Sequence, residues 1–369
     1  MNKQGKVILA ASALLGLATS GAARADDPTA AAAKPTGPSF SDVLQSSGLT
    51  ASGYVAASYY HSNGYNTYHE FDVEHDTFQL DQAALTLAYQ PKEGFGALVN
   101  VGAGEDMRIL HASEDGHDNT FDLIQGFVQY ATGPLTVIAG KYVTLAGAEV
   151  IAPTGNTNFS RSLLFFAEPL THTGIRATYA ASDTISLIAG VNNGWNTTST
   201  SYGSKTGELG LGWTPNKLFS LAGQGYVGKD QAYDAQRTLI DLVATYNATS
   251  AWTFVLSYDW GKQEQTAGLP DLDWDGLAGY ANYTFNDQWR VSLRAEYLND
   301  KNGFVTGVAQ KLKEATLTVG YDPAKSFELR LEVRYDKSDQ ATFVSAVPPA
   351  TPAFSDNQTE FALQGVFKF

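Results

Sequence analysis

The sequence of 369 residues contains no cysteine, so it offers neither a disulfide framework nor a thiolate metal site. Basic residues are scarce. Only 24 Lys and Arg stand against 38 Asp and Glu, for a formal net charge of −14. Such an acidic chain is a poor ligand for nucleic acid, whose phosphates need Lys and Arg to displace their counterions. Long apolar runs are missing as well. The run Val7 to Ala18 falls short of the roughly 20 residues that a membrane-crossing helix requires. Membrane residence would therefore have to come from strands closed into a barrel. There is no phosphate loop, no dinucleotide-binding glycine motif and no EF-hand calcium loop.

What the chain does hold is Tyr and Phe, 19 of each, together with 35 Gly, a composition that favours strands and turns. The N-terminus is a separate matter. Lys3 and Lys6 precede the apolar run Val7 to Ala18, and Ala23-Arg24-Ala25 supplies a small-residue cleavage site. Residues 1–25 are thus expected to be a signal peptide, with Asp26 the first mature residue. Their removal takes away Lys3, Lys6 and Arg24 and no acid, leaving a still more acidic chain. Residues 26–48, rich in Ala, Pro, Asp and Thr, read as a flexible periplasmic lead-in, with a short amphipathic turn over Phe40 to Gln45.

From residue 49 to 369 one unit repeats: a segment of about ten residues, a tight turn, a second segment, then a longer loop. Within segments apolar and polar residues alternate with the period of a strand. Phe327, Leu329, Leu331, Val333 and Tyr335 share one face, against Glu328, Arg330, Glu332 and Arg334. Trp289 to Tyr297 and the final segment Glu360 to Phe369 repeat the pattern, while Thr136 to Thr144 and Ile185 to Asn193 alternate poorly. Short connections such as Pro91 to Gly94, Thr132 to Pro134 and Asn286 to Gln288 alternate with longer polar ones. Aromatic residues sit at both ends of the segments. Tyr89, Tyr130, Tyr179, Trp213, Tyr246, Tyr283 and Tyr321 come before the short turns; Tyr60, Tyr142, Trp195, Tyr226, Trp260, Tyr297 and Tyr335 lie near the long loops. Tyr and Trp favour the headgroup level of a bilayer, so two such rows read as the girdles of a membrane barrel. The expected fold is all-β: a transmembrane antiparallel β-barrel of about 16 strands, with short periplasmic turns and longer extracellular loops. That strand number leaves an aqueous channel rather than a filled core.

Several stretches resemble the β-barrel porin-2, OmpL-like family: Gly53-Tyr54-Val55, the run Phe78 to Leu87, Asn158-Phe159-Ser160-Arg161-Ser162, and Thr171-His172-Thr173-Gly174-Ile175-Arg176. The terminal Phe369, after alternating apolar residues, resembles the C-terminal assembly signal of outer-membrane proteins. The resemblance implies a porin of the Gram-negative outer membrane, multi-pass, with the barrel assembly machinery and outer-membrane lipids as partners. It assigns no solute, no cofactor and no catalytic residue.

The connection Leu145 to Pro169 is long and unusually apolar, carrying Val150, Ile151, Leu163, Leu164, Phe165 and Phe166 among Glu149, Arg161 and Glu168. Apolar residues are poorly placed in a loop left in water. The expectation is that it folds into the lumen as a constriction, with Glu149, Arg161 and Glu168 setting a field across the opening. The other possibility is packing on a neighbouring subunit in a homo-oligomer, or continuation of a strand above the membrane. Arg290, Arg294, Arg330 and Arg334 on the inward face form a candidate basic ladder. Glu296, Glu328 and Glu332 interleave with them, as mutually neutralising ion pairs would. The acidic loops favour cations instead, so charge selectivity stays open.

His61, His69, His75 and His111, with Asp72, Asp76 and Asp115, supply metal-ligand types in no recognised spacing, and no metal site or other cofactor is assigned. Ser160 and His172 are the nearest thing to a nucleophile and base, and nothing marks them as a pair, so the chain is not expected to be an enzyme. The function expected is passive diffusion of small hydrophilic solutes or ions. A barrel acting through its loops, as an adhesin or structural anchor, is the alternative.

Overall fold

The computed structural model describes residues 46–200, 203–230, 234–266, 268–345 and 353–369. The predicted signal peptide and nearly all of the lead-in, including Phe40 to Gln45, lie outside them. Sixteen strands close into one antiparallel barrel. They are β1 (Thr50–Ser62), β2 (Thr77–Tyr89), β3 (Gly94–Ala103), β4 (Phe121–Thr132), β5 (Leu135–Val143), β6 (Thr171–Ala180), β7 (Ile185–Asn192), β8 (Thr206–Trp213), β9 (Phe219–Asp230), β10 (Ala235–Asn247), β11 (Trp252–Gln263), β12 (Leu272–Thr284), β13 (Trp289–Asp300), β14 (Gln310–Ala324), β15 (Phe327–Ser338) and β18 (Asn357–Lys368). Two further strands, β16 (Phe343–Val344) and β17 (Phe354–Ser355), form a small ribbon within the last long loop. Both weakly alternating segments are strands, β5 and β7, held by ladders on each side.

Each strand pairs with its neighbours in sequence, and β1 closes the ring against β18, from Tyr54 opposite Lys368 to Ser62 opposite Glu360. Gly53 and Phe369 exchange both backbone hydrogen bonds at 2.9 Å, so the last residue seals the seam. Closure leaves no open edge, the condition for a sheet to sit in hydrocarbon. The two-residue period sorts the side chains. On β15, Leu331 (61% exposed) and Tyr335 face out, while Glu328, Arg330, Glu332, Arg334 and Asp336 face in and are buried. The outer wall is a band of exposed Leu, Val, Ile and aromatic side chains.

The periplasmic girdle stands outward as expected, with Tyr89, Tyr130, Tyr179, Trp213, Tyr246 and Phe369 all exposed. The opposite girdle differs from the sequence expectation. Tyr60, Tyr142 and Tyr226 point inward and are fully buried, and Trp195 lies in a loop against Trp274. Trp260, Tyr297 and Tyr335 do face out, joined by Tyr59, Phe78 and Phe121. A one-residue change in phase moves a side chain to the other face of a sheet, so nearness to a strand end does not say which side an aromatic takes.

The long connections also hold structure that alternation did not announce. Helix α1 (Glu105–Asp115) buries Met107 and Leu110 against Ala84, Ile124 and Phe165. Gly116 ends it in the left-handed conformation. Helix α2 (Leu163–Phe166) begins at Ser162, whose side chain accepts from Phe165 N.

Candidate functional site

Residues 144–170 leave β5 at its outer end, cross the lumen and return to β6. The base is tied by Thr144 N donating to Leu170 O at 3.0 Å. Nearby, Leu145 N donates to the Tyr226 hydroxyl, which in turn donates to Glu208. The apolar residues that the sequence left in search of a partner find two. Leu163 and Leu164 join Trp274, Tyr280 and Leu298 of the wall, and Ile151 and Phe165 join Phe71, Met107 and Leu110.

An irregular segment has backbone donors and acceptors that no ladder satisfies, and burial makes each of them costly. The inward rows of β13, β14 and β15 supply the partners. Glu332 accepts from Phe159 N at 2.7 Å and from Ser160 N at 2.9 Å, and Glu296 from Leu163 N at 3.1 Å. Arginine, with its fan of donors, serves the carbonyls. Arg290 donates to Thr157 O, Arg294 to Ser160 O, Arg330 to Pro153 O and Asn158 O, and Arg334 to Arg161 O. Three strands round the ring from β15, Gln82 of β2 donates to Ile151 O at 2.9 Å. The loop is thus stitched to the wall from β2 round to β13, and β13 lies opposite its root at β5.

This changes the meaning of the arginine row. Arg290, Arg294, Arg330 and Arg334 point inward; the last three are buried beneath the loop, while Arg290 stays partly exposed. Each is also matched by acids. Arg294 meets Glu149 at 2.8 Å and both Glu296 and Glu314 at 3.2 Å; Arg290 and Arg330 share Glu328; Arg334 holds Asp336 at 2.8 Å. The row is therefore mostly engaged, its guanidinium groups held by loop carbonyls and carboxylates, and only Arg290 keeps part of its side chain exposed.

The three loop residues singled out from sequence have distinct places. Glu149 accepts from Ser162 N and from Arg294. Arg161 is 3% exposed and turned back on its own loop, donating to Val150 O, Ile151 O and Phe159 O, with its guanidinium 5.4 Å from the Phe71 ring. It staples the loop rather than projecting into water. Glu168 lies beside Asp241 and Asp259. Burial and the Asp241 carboxylate push it well above the ordinary carboxyl range. Sequence reasoning missed Glu314, Asp336, Asp241 and Asp259. Asp336 continues the alternation of β15 and was legible; Asp241 and Asp259 become notable only when β10 and β11 are paired in register.

The histidines divide. His69 is buried between Asp72 (2.6 Å) and Asp336 (3.1 Å), and Glu360 is close by. His61 and His75 both reach Asp76, and His111 reaches Asp122. Ser160 donates to Glu332, whereas His172 stacks on Tyr226 and bonds Gly194 O, so this serine and this histidine have separate partners.

Below the loop, toward the short turns, Thr178, Ser186, Ser220, Thr245 and Thr253 are half-buried on the inward face. They give the passage a hydroxyl lining able to exchange hydrogen bonds with water.

A family model described as beta-barrel porin-2, OmpL-like, matches residues 48–369. No curated protein sequence matches the chain significantly. Among solved structures, the chain is similar to OmpT of Vibrio cholerae in a trimer form, with 12% identity, a TM-score of 0.60, and 87% of this chain and 99% of that one covered. It is similar to the outer-membrane channel DcaP of Acinetobacter baumannii, with 12% identity, a TM-score of 0.60 and coverage of 87% and 97%. The anion-selective porin from Comamonas acidovorans matches with 12% identity, a TM-score of 0.60 and coverage of 87% and 99%.

Proposed function

The chain belongs to the beta-barrel porin-2, OmpL-like, family of outer-membrane porins, and from that membership we propose a passive diffusion channel for small hydrophilic solutes whose bore is set by residues 145–169. One observation carries the constriction: the loop, rooted at β5 and β6, lies inside the barrel and is held by side chains of β2 and of β13 to β15, β13 standing opposite β5. The hydroxyl-lined region beneath it suits solutes that keep part of their water shell. Membership of a porin family supports a conduit here.

Small cations and neutral solutes are favoured over anions. The inward arginines are neutralised by at least as many carboxylates, while the chain as a whole carries −14. An excess of one sign near a pore raises the local concentration of the opposite ion. The anion selectivity in the name of the Comamonas porin belongs to that protein.

Purified protein in a planar bilayer tests the reading. Steady conductance steps are expected, with a reversal potential in a KCl gradient that favours K⁺, and larger steps after deletion of residues 156–162. A silent bilayer would overturn the channel, and unchanged conductance in the deletion would overturn the constriction. Export through cleavage after Ala25, and capture of Phe369 by the assembly machinery, complete the proposal; the mature N-terminus, expected at Asp26, checks the first.

A further inference from the structure

Most inward carboxylates of this barrel have a cation beside them. Glu149, Glu296 and Glu314 share Arg294, Glu328 has Arg290 and Arg330, Asp336 has Arg334, and Glu208 has Arg176. One group does not. Glu168, near the end of the inner loop, meets Asp241 of β10 and Asp259 of β11, which are direct partners across the two strands. One oxygen from each lies within 4.8 Å of the other two. Asp241 and Asp259 are 0% exposed and Glu168 is 6% exposed. Both carboxylate oxygens of Asp241, both of Asp259 and Oε2 of Glu168 are buried without a hydrogen-bond partner. Among the described residues, no Lys, Arg or His forms an ion pair with any of the three.

The surroundings are built for this crowding. A Cβ on Gly147 would stand 2.0 Å from Glu168 Oε2, so the carboxylate seats directly on bare backbone. Ser257, the preceding inward residue of β11, is also buried with an unpartnered hydroxyl, a neutral oxygen on the same row. The other three-residue cluster of this kind, His69 with Asp72 and Glu360, differs. Its members are already engaged, His69 by Asp72 and Asp336, and Glu360 by Asn66.

Three carboxylates withdrawn from water must be neutralised, by protons or by a cation. Oxygens within 4.8 Å of one another need only a small inward movement for one ion to reach all three at a Ca–O distance of roughly 2.3–2.6 Å. Ligands that are all oxygen select hard cations over zinc or copper. We propose that Glu168, Asp241 and Asp259 form a binding site for a divalent cation of the calcium class, which clamps the end of the inner loop to β10 and β11. Binding one divalent ion offsets two of the three negative charges of the ionised carboxylates and leaves one; losing the ion at a pH where all three are ionised sets the loop against the wall by like-charge repulsion. The link to conductance rests on the constriction reading above, whereas binding itself does not.

The experiment uses the folded full-length mature protein in detergent, stripped with EDTA and then freed of it. Calcium chloride is titrated calorimetrically. In parallel, Tb³⁺ luminescence is excited through tryptophan. Trp274 packs over Gly261, two residues and about 7 Å along the strand from Asp259. The expected result is one saturable Ca²⁺ per chain, displacing Tb³⁺, with a higher Tm in calcium. Glu168→Gln and Asp259→Asn each weaken binding by at least about tenfold, because ligand charge sets affinity in such sites. Asp271→Asn, in an exposed loop, leaves it unchanged. If Asp259→Asn does not fold, Glu168→Gln decides, since Glu168 is no part of the barrel wall. No saturable binding up to about 10 mM, beyond the range of weak extracellular calcium sites, overturns the proposal. So does binding retained in Glu168→Gln. Single-channel recording with calcium and then EDTA separates the two readings: binding without any change in conductance keeps the cation site and removes the constriction.

Discussion

Arg294 of β13 holds Glu149 of the inner loop at 2.8 Å, and both side chains are buried. The two residues lie far apart in sequence, and this contact joins the loop to the wall. Removing the guanidinium strands Glu149, Glu296 and Glu314 without their shared cation. Breaking one side of a buried pair costs about 3–5 kcal/mol. Arg294→Met is expected to lower stability on that scale and to raise single-channel conductance as the loop loosens. Denaturant unfolding, followed by the shift of the folded band on gels, measures the first, and a planar bilayer the second.

Gly147 and Gly116 share a left-handed backbone, with φ of +81° and +77°. They differ in what a methyl group would meet: at Gly147 the Glu168 carboxylate, at Gly116 nothing within 4 Å. Gly116→Ala is expected to cost about 1 kcal/mol, the backbone penalty alone. Gly147→Ala should cost clearly more and displace Glu168. Paired unfolding curves check the difference, and equal values would contradict it.

The loop between β1 and β2 has a pH dependence whose sign follows from His69. Burial and Arg334 pull its pKa down, but Asp72 and Asp336 outweigh them and leave it above the ordinary value. A raised folded pKa means stability that is complete below about 6.5 and lost as pH rises through the folded value. Glu70, pushed up to about 8 by burial and by Asp72, acts in the same direction, because its ionisation is disfavoured in the folded loop. Residues 63–76 are therefore expected to loosen as pH rises, Glu70 contributing from about 4.5 to about 8 and His69 from about 6.5 upward. Limited proteolysis of this segment across that range measures it. His69→Gln should flatten the profile; a profile rising toward acid pH would contradict the sign.

Phe369 exchanges two backbone hydrogen bonds with Gly53, and a Cβ on Gly53 would stand 2.5 Å from its ring. Deleting Phe369 opens the seam at the periplasmic rim and removes the terminal aromatic. A lower yield of folded barrel in the outer membrane is expected, with normal synthesis of the chain. Phe369→Trp, which keeps an aromatic and the backbone, should recover most of it.

How far the sequence reached depended on the range of the interaction. Strand alternation is a local property. Phe327 to Tyr335 showed both faces of β15 without any knowledge of a partner, and the short turns fell between paired strands because their residues close tightly. The apolar content of Leu145 to Pro169 was likewise readable as a need for burial. Phase near strand ends was not. Tyr60 and Tyr59 look alike in sequence, and only the pairing of β1 with β18 sends one inward and the other out.

By itself, the sequence determined a closed barrel with an apolar outside and a polar inside, since a period of two written into each segment is enough for that. The tertiary structure decided which inward residues meet water and which meet the loop. Arg294 beside Glu149, Glu332 beneath Ser160, and Glu168 against Asp241 and Asp259 are all contacts across the lumen. They depend on where a long loop lands after the ring has closed, and no local pattern of residues encodes that distance.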